Sequence, residues 1–359
     1  MTPAVRAGII GTGFMGTVHA RSILRAGGVI TRIVGSSPAS SHAAAERVGA
    51  TTPTDTVEQL LAADDVDIVH ICTPNATHAP LVRAAIATGK HVICEKPLAV
   101  DVLEAQELIT LAEAAGVTAT VPFVYRFYPT VREARAKVID GSVGTVRLLH
   151  GSYLQDWLAL DTDDDWRVDA AAGGASRAFA DIGVHWCDLV EFVSGHRISA
   201  LSARLVVAVP NRGGRPVQTE DAAVVMFETD LGATGSVTIS QVSHGRKNRL
   251  SFTVDGSAES LFLDQENPET LWIGGRNVNR QLLRGTDGSA AAARYSVVPA
   301  GHPQGYQDCF AAFVGDTYAA LTGELPDGLP TFADGLRAAR LTQAVLDSSR
   351  KGSWVEIQP

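Results

Sequence analysis

Short apolar runs alternate with Ala-rich stretches through the first third of the chain. The runs at 7–10, 29–34, 67–72, 91–94 and 117–121 are dense in Val and Ile. Between them, residues 14–26, 40–48, 77–88 and 101–115 read as helices. Strand–helix alternation of this kind predicts a doubly wound parallel sheet. Beyond residue 144 the pattern changes. Runs at 145–153, 200–209, 222–228, 233–241, 250–255 and 260–264 follow one another with turn residues between, which predicts an antiparallel sheet. Residues 332–346 read as a closing amphipathic helix. The expected organisation is an α/β chain in two parts, 1–122 and 123–359.

Composition narrows the class. At 359 residues the chain can bury two cores, and 45% hydrophobic with 19% charged residues is ordinary for a globular protein. A net charge of −9 argues against nucleic acid or an anionic membrane as partner, because both need clustered Lys and Arg. No apolar stretch approaches the ~20 residues of a membrane span. The N-terminus has no signal-peptide pattern, and Cys72, Cys94, Cys187 and Cys309 form no C-x-x-C pair. A cytoplasmic protein with reduced thiols is expected.

The first turn carries candidate chemistry. G-T-G-F-M-G places Gly11, Gly13, Phe14, Met15 and Gly16 between a strand and a helix. One glycine permits the tight turn, one lets backbone approach a pyrophosphate, and one lets helix pack on strand. The helix N-terminus then offers N–H groups to phosphate oxygens. The acid expected about 20 residues further on, which would hold an adenosine ribose, is missing. Ser36 and Ser37 stand there instead, and serines leave room for a 2′-phosphate where a carboxylate would repel it. The cofactor is therefore expected to be NAD(H) or NADP(H), leaning to NADP(H). Solvated loop serines are the other reading. Two more stretches fall at strand ends that should face the ligand. They are C-T-P-N-A-T-H, with Thr73, Pro74, Asn75 and His78, and I-C-E-K-P, with Glu95 and Lys96 before Pro97. Proline fixes the backbone there, so Lys96 reads as aimed; a surface ion pair is the alternative.

Residues 178–188, AFADIGVHWCD, put Asp181, His185 and Asp188 on one face if helical. Metal ligation, acid/base chemistry and mutually satisfied core polar groups all fit that spacing. Cys187 points about 160° from the Asp181/His185 direction, leaving two ligands on one face where a catalytic zinc usually needs three. No metal is expected.

Taken in order, G-x-G-x-x-G, T-P-N-x-x-H, E-K-P and D-I-G-x-H resemble the glucose–fructose oxidoreductase / inositol dehydrogenase family, GFO/IDH/MocA. The similarity continues through V-P-F-V-Y-R-F-Y-P, Y-L-Q-D-W, G-H-P-Q-G-Y and P-T-F-A-D-G, nearly the whole chain. The resemblance implies an N-terminal Rossmann domain and a C-terminal α+β domain. The large, mostly antiparallel sheet of the second domain often mediates homodimers or homotetramers. It also implies hydride transfer between nicotinamide and a secondary hydroxyl or ketone of a sugar, anhydrosugar, glycoside or cyclitol.

By that resemblance Lys96 is the catalytic lysine, and Asp181 and His185 are the acid and histidine of its D-x-G-x-H motif. Histidine suits the base because its ordinary pKa lies near neutrality. A lysine ammonium can stabilise developing alkoxide charge. Arg126, Gln155, Asp156, Trp157 and Arg167 lie in motifs the family places near cofactor or substrate. His244 and Tyr306 are further candidates for a polyol, or turn and helix-end residues. Asp188 more plausibly holds structure than substrate. The sequence departs from the family pattern at Arg177 and Ala178, which puts the loop entering the Asp181 helix in question. Two other classes stay open. One is a glycoside-cleaving enzyme working by transient oxidation and elimination; the other is a non-catalytic nucleotide-binding regulator.

Overall fold

A computed structural model describes residues 4–285 and 288–358. The chain forms two compact units, Met1–Val124 with Tyr306–Leu336, and Tyr125–Gly305 with Arg337–Pro359.

In the first unit, strands β1 (Arg6–Ile10), β2 (Val29–Val34), β3 (Thr52–Pro53), β4 (Ile68–Ile71), β5 (His91–Cys94) and β6 (Ala119–Thr120) form a parallel sheet in the order β3-β2-β1-β4-β5-β6. Its helices are α1 (Phe14–Arg25), α2 (Pro38–Val48), α3 (Val57–Leu61), α4 (His78–Ala87) and α5 (Val102–Ala115). The central strands are buried on both faces, as Ile9, Ile33, Ile68, Val69, Val92 and Ile93 show. This is the Rossmann arrangement. The order reverses at β1 and β4, which puts the β1–α1 turn at the switch point where such sheets bind ligands.

In the second unit, α6 (Pro129–Ile139) precedes β7 (Val146–Leu154), and α7 (Ala170–Gly173) and α8 (Val184–Ser194) precede β8 (Ile198–Val206). A small ribbon, β9 (Asn211–Arg212) with β10 (Arg215–Pro216), leads to β11 (Ala222–Thr229), β12 (Thr234–Ser240), β13 (Arg249–Gly256), β14 (Glu259–Asp264), β15 (Thr270–Gly275) and β16 (Asn279–Leu283). Helix α9 (Ala290–Arg294) follows, and β17 (Val355–Glu356) closes the nine-stranded sheet β16-β15-β14-β13-β7-β12-β11-β8-β17. All its pairings are antiparallel except β12 with β7. Alternation in β11 buries Ala223, Val225 and Phe227 and exposes Val224 and Met226.

Helix α10 (Tyr306–Leu321) belongs to the first unit, a return that a single boundary near 122 does not anticipate. It is fastened there by specific groups. Gln307 donates to Ser22 Oγ at 2.8 Å, Arg25 pairs with Asp308 at 2.5 Å, and Thr317 Oγ1 lies 3.3 Å from Thr120 Oγ1. Helix α11 (Phe332–Lys351) runs well past the expected 346.

Candidate active site

The three glycines of the β1–α1 turn do separate work. Gly11 has φ +111°, and a Cβ there would lie 2.5 Å from the Cys72 carbonyl oxygen. A Cβ on Gly16 would lie 2.2 Å from the Gly11 carbonyl oxygen, so only glycine lets α1 start so close to its strand. At Gly13 a Cβ would meet nothing within 4 Å. No side chain caps α1, so its leading N–H groups face that open space. These residues fit a dinucleotide's pyrophosphate. Phe14 is 76% exposed beside them, and Met15 is half-buried.

Ser36 and Ser37 follow β2 and are both exposed. The Ser37 hydroxyl caps α2 by accepting the Ser40 N–H at 3.2 Å, and Arg47 of that helix donates to the Thr12 carbonyl at 2.9 Å. After β4, Thr73, Pro74 and Asn75 lead into α4, with the Thr77 hydroxyl 2.7 Å from Thr73 Oγ1. His78 is fully buried and ties two loops together. Its Nδ1 lies 2.7 Å from the Pro97 carbonyl and its Nε2 2.8 Å from that of Thr73. Only a protonated ring donates to both; burial lowers its pKa more than the two carbonyls raise it.

Lys96 stands half-buried after β5. The preceding Glu95 turns inward rather than toward solvent. Its Oε1 lies 3.0 Å from His19 Nε2, and its Oε2 accepts the Lys96 backbone N–H at 3.2 Å. His19 Nδ1 meets His70 Nδ1 at 2.8 Å, and His70 Nε2 lies 3.2 Å from the Tyr318 hydroxyl. Neither histidine figured in the sequence reading. A polar residue inside the otherwise apolar strand IVHI was the available signal for His70. Tyr306 opens α10 with its ring against Phe310.

In the second unit, Asp181 and His185 are not on one regular helix. Residues Phe179–Gly183 form a π-helical turn, with the Val184 N–H bonded to the Phe179 carbonyl, before α8 begins. Gly183 permits it, because the Phe179 ring occupies the place of a Cβ, 2.5 Å away. A π turn holds more residues than an α turn, so the single-face alignment of Asp181, His185 and Asp188 is lost. Asp188 instead forms a buried bidentate pair with Arg126. Asp181 accepts Gln241 Nε2–H at 2.9 Å and lies 3.6 Å from Arg167 Nε. His185 is 9% exposed, its ring edge-on to Tyr125 with centroids 5.2 Å apart.

The entry to this turn is clamped by two acids. Glu220 Oε1 accepts from Ser176 Oγ at 2.7 Å and from the backbone N–H groups of Arg177 and Phe179 at 3.0 Å. Arg177 and Arg212, both buried, pair with Asp221. Despite burial, the two guanidiniums and the Val209 N–H hold the Asp221 carboxyl below its ordinary pKa. The departure from the family pattern at Arg177 is thus an internal ion-pair residue.

Other expected contacts form a strut. Trp157 Nε1–H donates to Gln155 Oε1 at 2.8 Å, and Gln155 Nε2–H to Asn248 Oδ1 at 2.7 Å. Asn248 also accepts from the Tyr153 hydroxyl at 2.8 Å, which lies 2.5 Å from that of Tyr125. Both ends of the Gln155 amide are therefore engaged within the protein. The Arg167 guanidinium stacks on Trp166, 4.3 Å from its centroid. Asp156 accepts from Lys247 Nζ at 2.7 Å, and His244 is exposed nearby in sequence. Gln241 and Asn248, polar residues at strand edges, carry no motif that sequence reasoning could use. Among the described residues, no three His, Cys, Asp or Glu side chains form a group that could hold a metal ion, and no helix is long and apolar enough to cross a membrane.

Comparison with known proteins agrees with this geometry. Residues 5–123 match the oxidoreductase family with an NAD-binding Rossmann fold, and residues 131–262 match the GFO/IDH/MocA C-terminal domain. The chain is 29% identical to levoglucosan dehydrogenase of Pseudarthrobacter phenanthrenivorans over 98% of each chain. A crystal structure of an oxidoreductase domain protein from Kribbella flavida superposes with TM-score 0.93 at 35% identity, covering all of both chains. The complex of levoglucosan dehydrogenase with NADH and levoglucosan gives TM-score 0.93 at 28% identity, covering 99% of this chain and 100% of that one. With the glycine turn, E-K-P and the Asp181–His185 turn all in place, the chain belongs to the GFO/IDH/MocA family of NAD-binding oxidoreductases.

Proposed function

We propose that this enzyme moves a hydride between nicotinamide and one secondary hydroxyl or ketone carbon of a sugar, anhydrosugar, glycoside or cyclitol. The observation that carries the reading is the Asp181–His185 turn. It holds a carboxylate fixed by Gln241 and an imidazole within one turn of each other, in a chain whose other unit has a dinucleotide turn. His185 takes the hydroxyl proton of the reacting carbinol. Lys96 donates a hydrogen bond to the same oxygen as alkoxide charge develops. Asp181, acceptor-only when ionised, receives a neighbouring hydroxyl and fixes which carbon reacts. The bound nicotinamide supplies the hydride acceptor.

Ser36, Ser37 and the nearby Arg47 favour NADP(H) over NAD(H), since no carboxylate stands after β2 to repel a 2′-phosphate. Against that lean, the levoglucosan dehydrogenase structures carry NADH. The open face of the second unit's sheet supports a homodimer or homotetramer. A cytoplasmic location accords with cysteines that form no disulfide among the described residues.

The test is a panel of levoglucosan, inositols and pentoses with NAD+ or NADP+, read at the absorbance of the reduced nicotinamide. Lys96→Met and His185→Ala should each lower kcat by about 10²–10⁴-fold with cofactor affinity preserved. Full turnover in both variants overturns the role assignment. Release of a leaving group with catalytic cofactor and no net reduced nucleotide would instead establish the oxidation–elimination route.

A further inference from the structure

The first unit holds a buried file of side chains that the chemistry above does not use. Tyr318, His70, His19 and Glu95 stand in line with contacts of 3.2, 2.8 and 3.0 Å. Both histidines are fully buried, and Glu95 and Tyr318 are 5% and 6% exposed.

With both imidazoles neutral, hydrogen accounting limits the file to two states. Each contact needs one hydrogen, and a neutral imidazole carries one. If Glu95 is ionised, it accepts from His19 Nε2–H. His19 Nδ1 is then a lone pair that receives His70 Nδ1–H, and His70 Nε2 receives the Tyr318 O–H. If Glu95 is protonated, every donor reverses, and the Tyr318 hydrogen must find another acceptor. Among the described residues Tyr318 has no other hydrogen-bond partner, so the reversed state orphans a buried donor. Burial also keeps His70 uncharged and the Tyr318 phenol protonated, as the first state requires. The first state therefore holds.

The far end of the file is next to the proposed chemistry. Glu95 Oε1 receives His19, while its Oε2 receives the backbone N–H of Lys96. One carboxylate thus links α1 to the peptide that carries the lysine. We propose that Tyr318, His70 and His19 are positioning residues: a one-way hydrogen-bond chain that holds Glu95 ionised and so fixes the backbone of Lys96. The inference rests on the role given to Lys96 above.

Two measurements on the full-length protein decide it. With selectively ¹⁵N-labelled histidine, NMR should show His19 with its hydrogen on Nε2 and His70 with its hydrogen on Nδ1. The opposite tautomer in both rings would mean a protonated Glu95 and overturns the proposal. Tyr318→Phe removes only the first donor. It should lower kcat about threefold to tenfold, the equivalent of one buried hydrogen bond, with substrate KM and cofactor Kd unchanged. His19→Ala should cost more. In a Lys96→Met background, Tyr318→Phe should add nothing to the loss. An undiminished effect there places the chain's action elsewhere and overturns the inference. If Lys96→Met alone keeps full turnover, it is the reading of Lys96 that fails.

Discussion

Arg126 and Asp188 face each other as a bidentate ion pair in which each side chain is only 8% exposed. The Arg126 guanidinium also lies over the Phe192 ring, 5.1 Å from its centroid. The pair sits one turn beyond His185 and joins the segment before α6 to α8. Removing one partner leaves the other charge buried, so Asp188→Ala should cost about 3–5 kcal/mol. Arg126→Met combined with Asp188→Leu should recover most of that loss. Urea denaturation of the three variants checks it. A single variant as stable as the parent would show that the pair does not hold α8.

The glycine turn separates fold from binding. Gly13→Ala places a methyl in open space, so the thermal midpoint of the protein alone should stay unchanged while cofactor Kd rises at least tenfold. Gly16→Ala drives a methyl against the Gly11 carbonyl and should destabilise the protein without any ligand. Calorimetry with and without cofactor separates the two. Equal stability losses in both variants would refute the division of labour.

Gly183 tests the π turn. A methyl there meets the Phe179 ring at 2.5 Å, and the turn must rewind or the ring must leave. Either outcome moves Asp181 relative to His185. Gly183→Ala should lower kcat by about 10²-fold, as a misplacement near 1 Å does. Adding Phe179→Ala restores space, and it should recover part of the activity at a cost in stability. Steady-state kinetics of the single and double variants decide it; a fully active Gly183→Ala refutes the idea.

Much of this arrangement was legible in the chain, because apolar patterning is local. Strands β2 and β5 fall where the runs at 29–34 and 91–94 place them. The first six long strands of the second unit lie within a few residues of expectation. What patterning missed depends on distant partners. Strand β15 ends in two glycines and β16 opens on three polar residues; β15 takes its place from pairing with β14, and β16 from pairing with β15. The π turn needs Phe179 against Gly183, and nothing in helical spacing distinguishes it from an α turn. His19 and Glu95 are 76 positions apart, and only the parallel sheet aligns them. The motif residues of the first unit were visible because each sits at a strand end or a glycine turn, and Asp181 and His185 because they interrupt an apolar run. Their supports, Gln241, Asn248, His70 and Glu220, are polar groups whose meaning comes from the residue they face.

The open sheet face predicts assembly. The strand register aligns Met226, Ser236, His150, Thr253, Phe262 and Trp272 in one row across six strands. Met226 is 52% and Trp272 36% exposed, with Val224 and Leu148 exposed as well. Exposed apolar side chains on such a face fit the proposed subunit contact. Met226→Glu should reduce the mass measured by light scattering while the isolated chain keeps its secondary structure. An unchanged mass would place the subunit contact on another surface.

Acid should loosen the first unit before it touches the carboxylates. Burial holds the pKa of His70 well below its ordinary 6.5, with His19 beside it adding to the effect, and burial also lowers that of His78. The His70 ring is therefore neutral in the folded protein and takes up a proton on unfolding, and the lowered pKa of His78 acts in the same sense. Between 6.5 and their folded pKa values the unfolded state binds more protons, so stability falls as pH falls. It is fully present above 6.5, and the slope can reach about 1.4 kcal/mol per pH unit for each proton. The Asp67 carboxyl, hydrogen-bonded to Arg6, has a lowered pKa and acts in a separate window. Its contribution is present above 3.8 and is lost as pH falls through the folded value. Urea midpoints should therefore decline from pH 7.5 to pH 5. The decline should be shallower in His70→Phe, even though that variant starts less stable for want of the His19 and Tyr318 contacts. A pH-independent midpoint across that range would mean that His70 and His78 are already charged in the folded protein, and that carbonyls and carboxylates outweigh their burial.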